Sequence, residues 1–195
     1  MRRRFYFLTT VVVLLLGTLS VPVRAQTDEE VGAAIDRIKE YFFKNQGQDG
    51  SWEHLYEYKG GHEKPSVYGV TSMVALSLIY AGESPQRPEI AKAIDFLRDK
   101  YLEGVYAASL RATLWANLND NYRPLLQRDV DFLRSVARPT GGAHYPRNEK
   151  ESGNNGTSYD NSNTQYFHLG VWEAHRRGLP IPRHQFEVIK RHWRT

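Results

Sequence analysis

The sequence contains no cysteine among its 195 residues. A chain without cysteine forms no disulfide and offers neither a thiolate nucleophile nor a zinc site with a cysteine ligand. A bacterial-type lipid anchor on cysteine is excluded for the same reason. The packed core alone must therefore hold this fold together.

A long apolar run occurs at the N-terminus. Arginines at positions 2–4 precede an almost unbroken apolar segment over 5–21, and Val-Arg-Ala at 23–25 places small residues at the two positions that a signal peptidase reads. This order is typical of a signal peptide, so we predict cleavage after Ala25 and export to the periplasm or the extracellular space. An uncleaved membrane anchor is the alternative, because the run is near the lower length limit for a span. After cleavage, residues 26–195 are expected to form one domain without a stable membrane span.

The mature chain lacks an excess of charge of either sign. Residues 1–25 hold four arginines and no acidic residue, so their removal lowers the basic count from 26 to 22, which equals the acidic count of 22. A balanced chain gives no electrostatic support for binding to nucleic acid or to an anionic membrane. No nucleic-acid partner is therefore expected.

What the chain has instead is a repeating helical pattern. The segment Ala34-Ile35-Asp36 is matched by Ala93-Ile94-Asp95 and by Asp129-Val130-Asp131, at spacings of 59 residues (35 to 94) and 36 residues (94 to 130), and a further copy begins at Phe186. More apolar segments over 67–81, 105–118 and 163–177, called the inner helices below, lie between the copies and are typical of helices buried on most sides. Self-similarity of this kind indicates stacked helical units.

The predicted fold class follows from these segments. We expect an all-α protein with about seven helices, from 29–43 to 183–193, arranged as three pairs and a single helix. Amphipathic helices alternate with more buried ones, as in a two-layered ring of helices. Glycines at 82 and 178, each followed by prolines, mark predicted helix ends.

The stretch Gln46-Gly47-Gln48-Asp49-Gly50-Ser51-Trp52 follows the first predicted helix. Its Asp-Gly pair is a strong turn signal, and the turn would return Trp52 toward the end of that helix. There the indole can cover the amide of Gln46 while that amide bonds free backbone groups. We interpret the stretch as a structural clamp.

Gln46, Gly50 and Trp52 match the Q-x-x-x-G-x-W motif, the QW repeat of squalene cyclases. The chain resembles the prenyltransferase/squalene-oxidase repeat proteins of the terpenoid cyclase and protein prenyltransferase α/α-toroid superfamily, in particular exported bacterial, planctomycete-like members. A degenerate later copy has Gly141 or Gly142, then Tyr145, and no glutamine. The resemblance implies a partial α/α toroid over 26–195 with fewer helix pairs than a closed ring.

An incomplete array of repeats exposes the apolar side of its last unit. The resemblance therefore implies a truncated member, a fragment, or a chain that closes by self-association. We expect self-association or a protein partner at the open C-terminal repeat.

The residues that carry the chemistry of this superfamily are incomplete here. Squalene-type cyclases use an acid in a D-x-D-D motif, and the nearest match, Asp129-Val130-Asp131-Phe132, lacks the last acid. The zinc site of the prenyltransferases needs a cysteine. The histidines show no i, i+4 pair with an intervening acid, and His168 and His175 share one helix face two turns apart. No cofactor and no metal are expected.

Polar side chains near the starts of the inner helices are the candidate ligand-facing residues. Helix N-termini attract anions and hydroxyl-rich ligands, so these side chains could ring the mouth of a central cavity. Helix capping by Asp160 or Ser162 is the alternative explanation. The candidates are Tyr68, Thr71, Tyr106, Ser109, Asp160, Asn161, Asn163 and His168.

Two functions remain open from the sequence. The first is a non-catalytic binding or assembly module, with an apolar or a glycan ligand. The second is an enzyme with a toroid cavity that acts on isoprenoids or glycans. An isoprenoid enzyme needs a dry, aromatic cavity with a buried acid, and His144, Tyr145 and Arg147 offer only a faint version of a glycan-cleaving cluster. We favour the first, because no site is complete.

Overall fold

The computed structural model describes residues 25–56, 68–102, 104–144 and 159–194. Within these ranges the chain forms seven α-helices and no strand, so the predicted all-α class is confirmed. The predicted signal peptide, apart from Ala25, lies outside the described residues, as do Tyr145 and Arg147. The helices are α1 (Asp28–Lys44), α2 (Gly69–Tyr80), α3 (Pro88–Arg98), α4 (Val105–Ala116), α5 (Arg123–Ser135), α6 (Asn161–Arg176) and α7 (Arg183–His192).

The chain divides into two compact units, Met1–Arg37 and Ile38–Thr195. Helix α1 begins in the first unit, where a capping box starts it. The backbone N–H of Thr27 donates to Glu30 Oε2 at 2.9 Å, and the N–H of Glu30 donates to Thr27 Oγ1 at 3.2 Å. The two bonds satisfy free donors of the first turn, which also carries the acidic residues that the helix dipole favours there.

Helix α4 lies at the centre of the second unit and packs against α2, α5 and α6. Ten of its twelve residues are buried, as the apolar sequence predicted. Helix α3 packs on α2, and α5 packs on both α4 and α6. The inner helices α2, α4 and α6 therefore form one layer of this unit, and α3 and α5 lie against it.

Helices α3 and α5 bury equivalent residues. Their buried positions are Ile90, Ala93, Ile94 and Leu97 in α3 and Leu126, Asp129, Val130 and Leu133 in α5. Each position in α5 lies 36 residues after its counterpart in α3, so the 36-residue repeat is a repeat of the buried face. A carboxylate, Asp129, occupies the place of the buried Ala93.

The turn after α1 is held by backbone bonds and by Trp52. The N–H of Gly50 donates to Gly47 O at 2.9 Å, and the N–H of Gly47 donates to Ser51 O at 2.8 Å. Trp52 is fully buried, and its indole N–H donates to Phe42 O at 2.7 Å, a carbonyl in the last turn of α1. The indole thus satisfies one of the carbonyls that a helix end leaves free.

Gln46 joins this turn to the next amphipathic helix. Its Nε2 donates to Gly50 O at 2.8 Å and to Glu89 O, in the first turn of α3, at 2.7 Å. Gly50 has φ +88°, and a Cβ at this position would lie 2.7 Å from Lys92 O. Only glycine meets both conditions, because a side chain there would strain the backbone and overlap a carbonyl of α3.

The same turn recurs after α5 with different side chains. The N–H of Gly141 donates to Arg138 O at 2.9 Å, and the N–H of Arg138 donates to Gly142 O at 2.9 Å. Gly141 has φ +90°, and a Cβ there would lie 2.8 Å from Val188 O in α7. The counterpart of Gly50 is therefore Gly141, and Ala143, which is fully buried, takes the place of Trp52.

These two turns set the register between the first and third repeats at 91 residues, the distance from Gly50 to Gly141. Under this register Ile35 corresponds to Leu126. The sequence match had paired Ile35 with Val130, one helical turn further along. The turn geometry corrects that pairing, because an amphipathic sequence resembles itself after a shift of four residues.

We expect Gly50→Ala to destabilise the second unit strongly. The left-handed backbone costs about 1–2 kcal/mol for a residue with Cβ, and the overlap with Lys92 O adds to that cost. Gly32→Ala is the control, because its Cβ would meet nothing within 4 Å, so in a helix interior it should stabilise by about 0.5–1 kcal/mol. Urea unfolding measures both changes, and equal midpoints for the two variants would contradict the role given to Gly50.

Candidate functional site

Asp129, the carboxylate of the incomplete acid motif, lies in a fully formed buried ion pair. Its Oδ1 accepts from Arg111 Nη2 at 2.6 Å, and its Oδ2 accepts from Arg111 Nε at 2.7 Å and from Trp115 Nε1 at 2.8 Å. Both side chains are almost entirely buried. Because both oxygens of Asp129 are occupied, this carboxylate has a structural position and is not free to protonate a ligand.

Arg111 extends this ion pair to a third helix. Its Nη1 donates to Leu97 O at 2.9 Å and to Lys100 O at 2.7 Å, at the C-terminal end of α3. One guanidinium therefore joins α3, α4 and α5. Asp131, the other acid of the motif, lies on the exposed side of α5, where it accepts from Gln127 and lies 3.7 Å from Arg134.

Arg111 is not among the candidate residues predicted from the sequence. The signal was present, since Arg111 is a lone charge inside the apolar segment 105–118 and Asp129 stands at a core position of the 36-residue repeat. A buried arginine requires an acidic partner, and Asp129 is the acid that the repeat places in the core. These two positions indicate that each residue needs a buried partner, and the structure shows that they meet each other.

Tyr68 and Thr71 meet the turn that follows α1. Glu53 accepts from the backbone N–H of Tyr68 at 3.0 Å and of Thr71 at 2.8 Å, so its carboxylate lies at the N-terminus of α2, where the helix dipole favours it. Thr71 Oγ1 accepts from the N–H of Trp52 at 3.0 Å. Thr71 is fully buried and is occupied by this contact.

Tyr106 and Ser109 face α6. Ser109 is fully buried, and its hydroxyl donates to the carbonyl of Tyr166. The rings of Tyr106 and Tyr166 lie 4.3 Å apart between centroids. A Cβ on Gly170 would lie 2.9 Å from Ser109 Oγ, so α4 and α6 approach each other closely here. Tyr106 and Ser109 thus belong to the contact between these two helices.

Asp160 caps α6. Its Oδ1 accepts from the N–H of Asn163 at 2.8 Å and from Asn163 Nδ2 at 3.1 Å, and the hydroxyl of Ser162 donates to the same oxygen. Burial raises the pKa of Asp160, but the hydrogen bonds from Ser162 and Asn163 outweigh it and bring that pKa below its usual value. Asn161 is exposed beside this cap. These contacts are those of a helix N-cap, the alternative to ligand binding at this helix end.

Asn163 is fully buried, and its Oδ1 has no hydrogen-bond partner within the described part of the chain. On α6 it precedes Thr164, whose Oγ1 accepts from the N–H of Ala143 at 2.9 Å. This bond repeats the contact between Trp52 and Thr71. The amide of Asn163 is aligned by Asp160 and so belongs to the cap.

His168 joins the second turn to the end of α7. Its Nε2 lies 2.9 Å from Gly141 O, and its Nδ1 accepts from the indole N–H of Trp193 at 2.8 Å. The two contacts together require a neutral ring with the proton on Nε2. Burial lowers the pKa of His168, and the neighbouring His192 lowers it further, against the opposing effect of Gly141 O.

A cavity of about 280 Å³ lies at the opposite ends of the inner helices, where α4 and α6 terminate. Its exposed wall is mostly polar. None of the eight candidate residues from the sequence lines it. The lining residues are Ala116, Asn117, Leu118, Arg176 and Arg177.

Two neighbouring arginines shape this cavity. Arg176 donates from Nε at 3.0 Å and from Nη2 at 2.7 Å to one oxygen of Glu173, and this hydrogen bonding raises the pKa of Arg176. Arg177 Nη2 donates to Leu118 O at 2.7 Å and lies 3.2 Å from Asp120 Oδ1. Neither arginine stood out in the sequence, because arginines are common at helix C-termini.

Neutral hydrogen-bonding groups lie beside the arginines. Asn117 Nδ2 donates to Thr113 O at 2.8 Å and to the hydroxyl of Tyr80 at 3.2 Å. Tyr80 is 63% exposed, so its ring and its hydroxyl are accessible. Arg123 closes the end of α6 by donating to Arg177 O at 3.0 Å and to Gly178 O at 2.7 Å.

Within the described ranges, no group of three or more metal-ligating side chains comes together. No helix in the same ranges is long and apolar enough to cross a membrane.

Comparison with known proteins returns no relative. No family model matches the chain, and neither a curated protein nor a solved structure matches it.

We expect Arg111→Met to cost about 3–5 kcal/mol of unfolding free energy, because it removes the buried, two-point counter-charge of Asp129 and leaves only the part-exposed Arg128, 3.4 Å away. Asp131→Asn on the exposed side of the same helix should change stability by less than about 0.5 kcal/mol. Chemical denaturation followed by circular dichroism measures both. A small loss for Arg111→Met would mean that Asp129 finds other compensation.

Stability should fall with acidification through His168. Its folded pKa lies below the ordinary value of 6.5, so the unfolded chain binds the proton more readily and the stabilising effect is complete only above about pH 6.5. As the pH falls from there through the folded pKa, protonated His168 can no longer accept from Trp193.

His168→Asn is the control, because it keeps an acceptor near Nδ1 but does not titrate. We expect the difference in unfolding free energy between wild type and His168→Asn to change between about pH 8 and pH 5, to the disadvantage of the wild type at low pH. Parallel curves for the two proteins over this range would contradict the role of the neutral ring.

Proposed function

We propose that this chain is an exported, non-catalytic helical-repeat binding module, related to the squalene cyclase and prenyltransferase repeat proteins as a partial α/α toroid. Its ligand is a hydroxyl-rich anion, such as an acidic glycan, held at the C-terminal ends of α4 and α6. The observation that carries the proposal is the cavity with Arg176 and Arg177 on its wall.

The charged side chains around the cavity carry a small excess of positive charge. The charged side chains around it are Arg123, Arg176, Arg177, Asp120 and Glu173, which sum to one positive charge. Guanidinium groups match the planar, two-oxygen geometry of a carboxylate. Within the described residues no hydrogen bond uses Nη1 of Arg176, so this nitrogen has donors for a ligand.

The neutral groups favour a glycan over an isoprenoid. An isoprenoid requires a dry apolar cavity, whereas the exposed wall here is mostly polar. The amide of Asn117 and the hydroxyl of Tyr80 can pair with sugar hydroxyls, and the exposed ring of Tyr80 offers a flat apolar face. An acidic sugar would therefore use the charge and both neutral groups.

A binding role also agrees with the buried charge. A catalytic acid needs an oxygen that can reach the ligand, and both oxygens of Asp129 are bonded to Arg111 and Trp115. The repeated turns at Gly50 and Gly141 support the relationship to repeat proteins, since they impose one geometry on two different sequences.

Calorimetric titration with an oligogalacturonate tests the proposal. We expect binding to the wild type, and a loss of about ten- to hundredfold in affinity for Arg176→Ala, which removes a charged hydrogen-bond donor from the wall. Arg183→Ala is the matched control, since Arg183 is 93% exposed on α7 away from the cavity lining and should leave the affinity unchanged.

Neutral oligosaccharides of the same length should bind more weakly than the acidic ones. No heat of binding with the wild type, or equal affinities for Arg176→Ala and Arg183→Ala, would overturn the proposed function.

A further inference from the structure

We propose that copies of this chain associate head to tail, with α1 of one copy packed antiparallel to α7 of the next. The contact joins an apolar stripe on α1 to the apolar patch formed by Leu169, Trp172 and Trp193. This inference goes beyond ligand binding and does not depend on the cavity.

Helix α1 carries the first of these surfaces. Val31, Ile35, Ile38 and Tyr41 follow one another at spacings of four, three and three residues, so they lie along one side of the helix. All four are exposed, by 43%, 41%, 54% and 54% of their surface. None of the residues of α1 is buried. A continuous stripe of large apolar side chains in water is typical of a docking surface.

The second surface lies on α6 and at the end of α7. Leu169 is 39% exposed, Trp172 53% and Trp193 52%. The ring of Trp172 contacts that of Phe186 of α7 edge to face, with centroids 6.3 Å apart. The indole N–H of Trp193 donates to His168 on α6. The patch therefore spans both helices, and a further helix could lie across it.

The charges beside the two surfaces are complementary, which favours a second copy of the same chain as the partner. The first turn of α1 carries Asp28, Glu29 and Glu30, whereas the last turn of α7 carries Lys190, Arg191 and His192. An antiparallel arrangement brings the acidic turn next to the basic turn and opposes the dipoles of the two helices favourably. The stripe from Val31 to Tyr41 is about 15 Å long, which matches the length of α7.

Because the two surfaces differ, the contact is heterologous. A pair of copies keeps one free stripe and one free patch, so association continues to a ring or an open filament and does not stop at a dimer. The small apolar area places the contact among weak interfaces, and we expect an equilibrium that depends on protein concentration and weakens with salt.

The test uses sedimentation velocity with two variants that each remove one surface. Ile38→Lys disables the stripe, and Leu169→Glu disables the patch. Each variant alone should be monomeric at concentrations where the wild type associates. An equal mixture should form a dimer and nothing larger, because the intact patch of the first variant accepts the intact stripe of the second.

Met73→Lys is the matched control, since Met73 is 47% exposed on α2 and belongs to neither surface. It should associate like the wild type. Circular dichroism establishes that the variants are folded, and Val31→Lys replaces Ile38→Lys if that variant is not.

Lys190→Glu combined with Arg191→Glu should weaken association about tenfold. A wild type that stays monomeric throughout overturns the inference. So does a Leu169→Glu variant that still dimerises alone, because that outcome indicates stripe pairing with stripe. A mixture that remains monomeric also overturns it, and none of these results affects the glycan titration.

Discussion

The ion pair between Arg111 and Asp129 is the interaction on which the rest of the second unit depends. Two opposite charges taken out of water are tolerated only when nearly every donor and acceptor is satisfied. Here both carboxylate oxygens are bonded, and Nη1 of the guanidinium donates to two carbonyls at the end of α3. The requirement fixes three helices relative to one another, with α4 in the middle. It also leaves Asp129, the acid of the incomplete D-x-D-D motif, without an oxygen that is free to act on a ligand.

The turns after α1 and α5 each make close contact with the next amphipathic helix. In both, a glycine with a left-handed backbone brings the chain within contact distance of a carbonyl, in α3 or in α7. The side chains that support the two turns differ: Trp52 and Gln46 fill the first, and Ala143 stands in the second. Glu53 caps α2 from outside the helix, while Asp160 caps α6 locally. The backbone geometry is thus the repeated feature, and the side chains are replaceable.

The two ends of the inner helices differ in what they leave for a ligand. At the N-terminal ends, the polar side chains satisfy the free N–H groups of the helices or link neighbouring segments, so little of their hydrogen-bonding capacity remains. At the C-terminal ends the free groups are carbonyls, and arginines such as Arg123 and Arg177 bond them. An arginine has five donors, so it can bond a carbonyl and still present donors to an anion. The cavity therefore lies at the end that is rich in arginine.

The sequence by itself determined the helices. The apolar periodicity and the glycines after α2 and α6 predicted the bounds of most helices to within two residues, because these are local properties of the chain. The 36-residue repeat of buried positions and the burial of Trp52 followed from the same patterns.

Only the tertiary structure decided which residues meet. It paired Arg111 with Asp129, moved the register of the third repeat by one turn, assigned the second turn to Gly141, and brought Arg176 and Arg177 to one cavity. Each of these depends on contacts between residues distant in the chain, and an amphipathic helix reads almost the same after a shift of one turn. The 91-residue register follows from Gly50 and Gly141, because each glycine lies close to a backbone carbonyl of the next amphipathic helix. The sequence does not contain that distance, since it depends on how the helices pack.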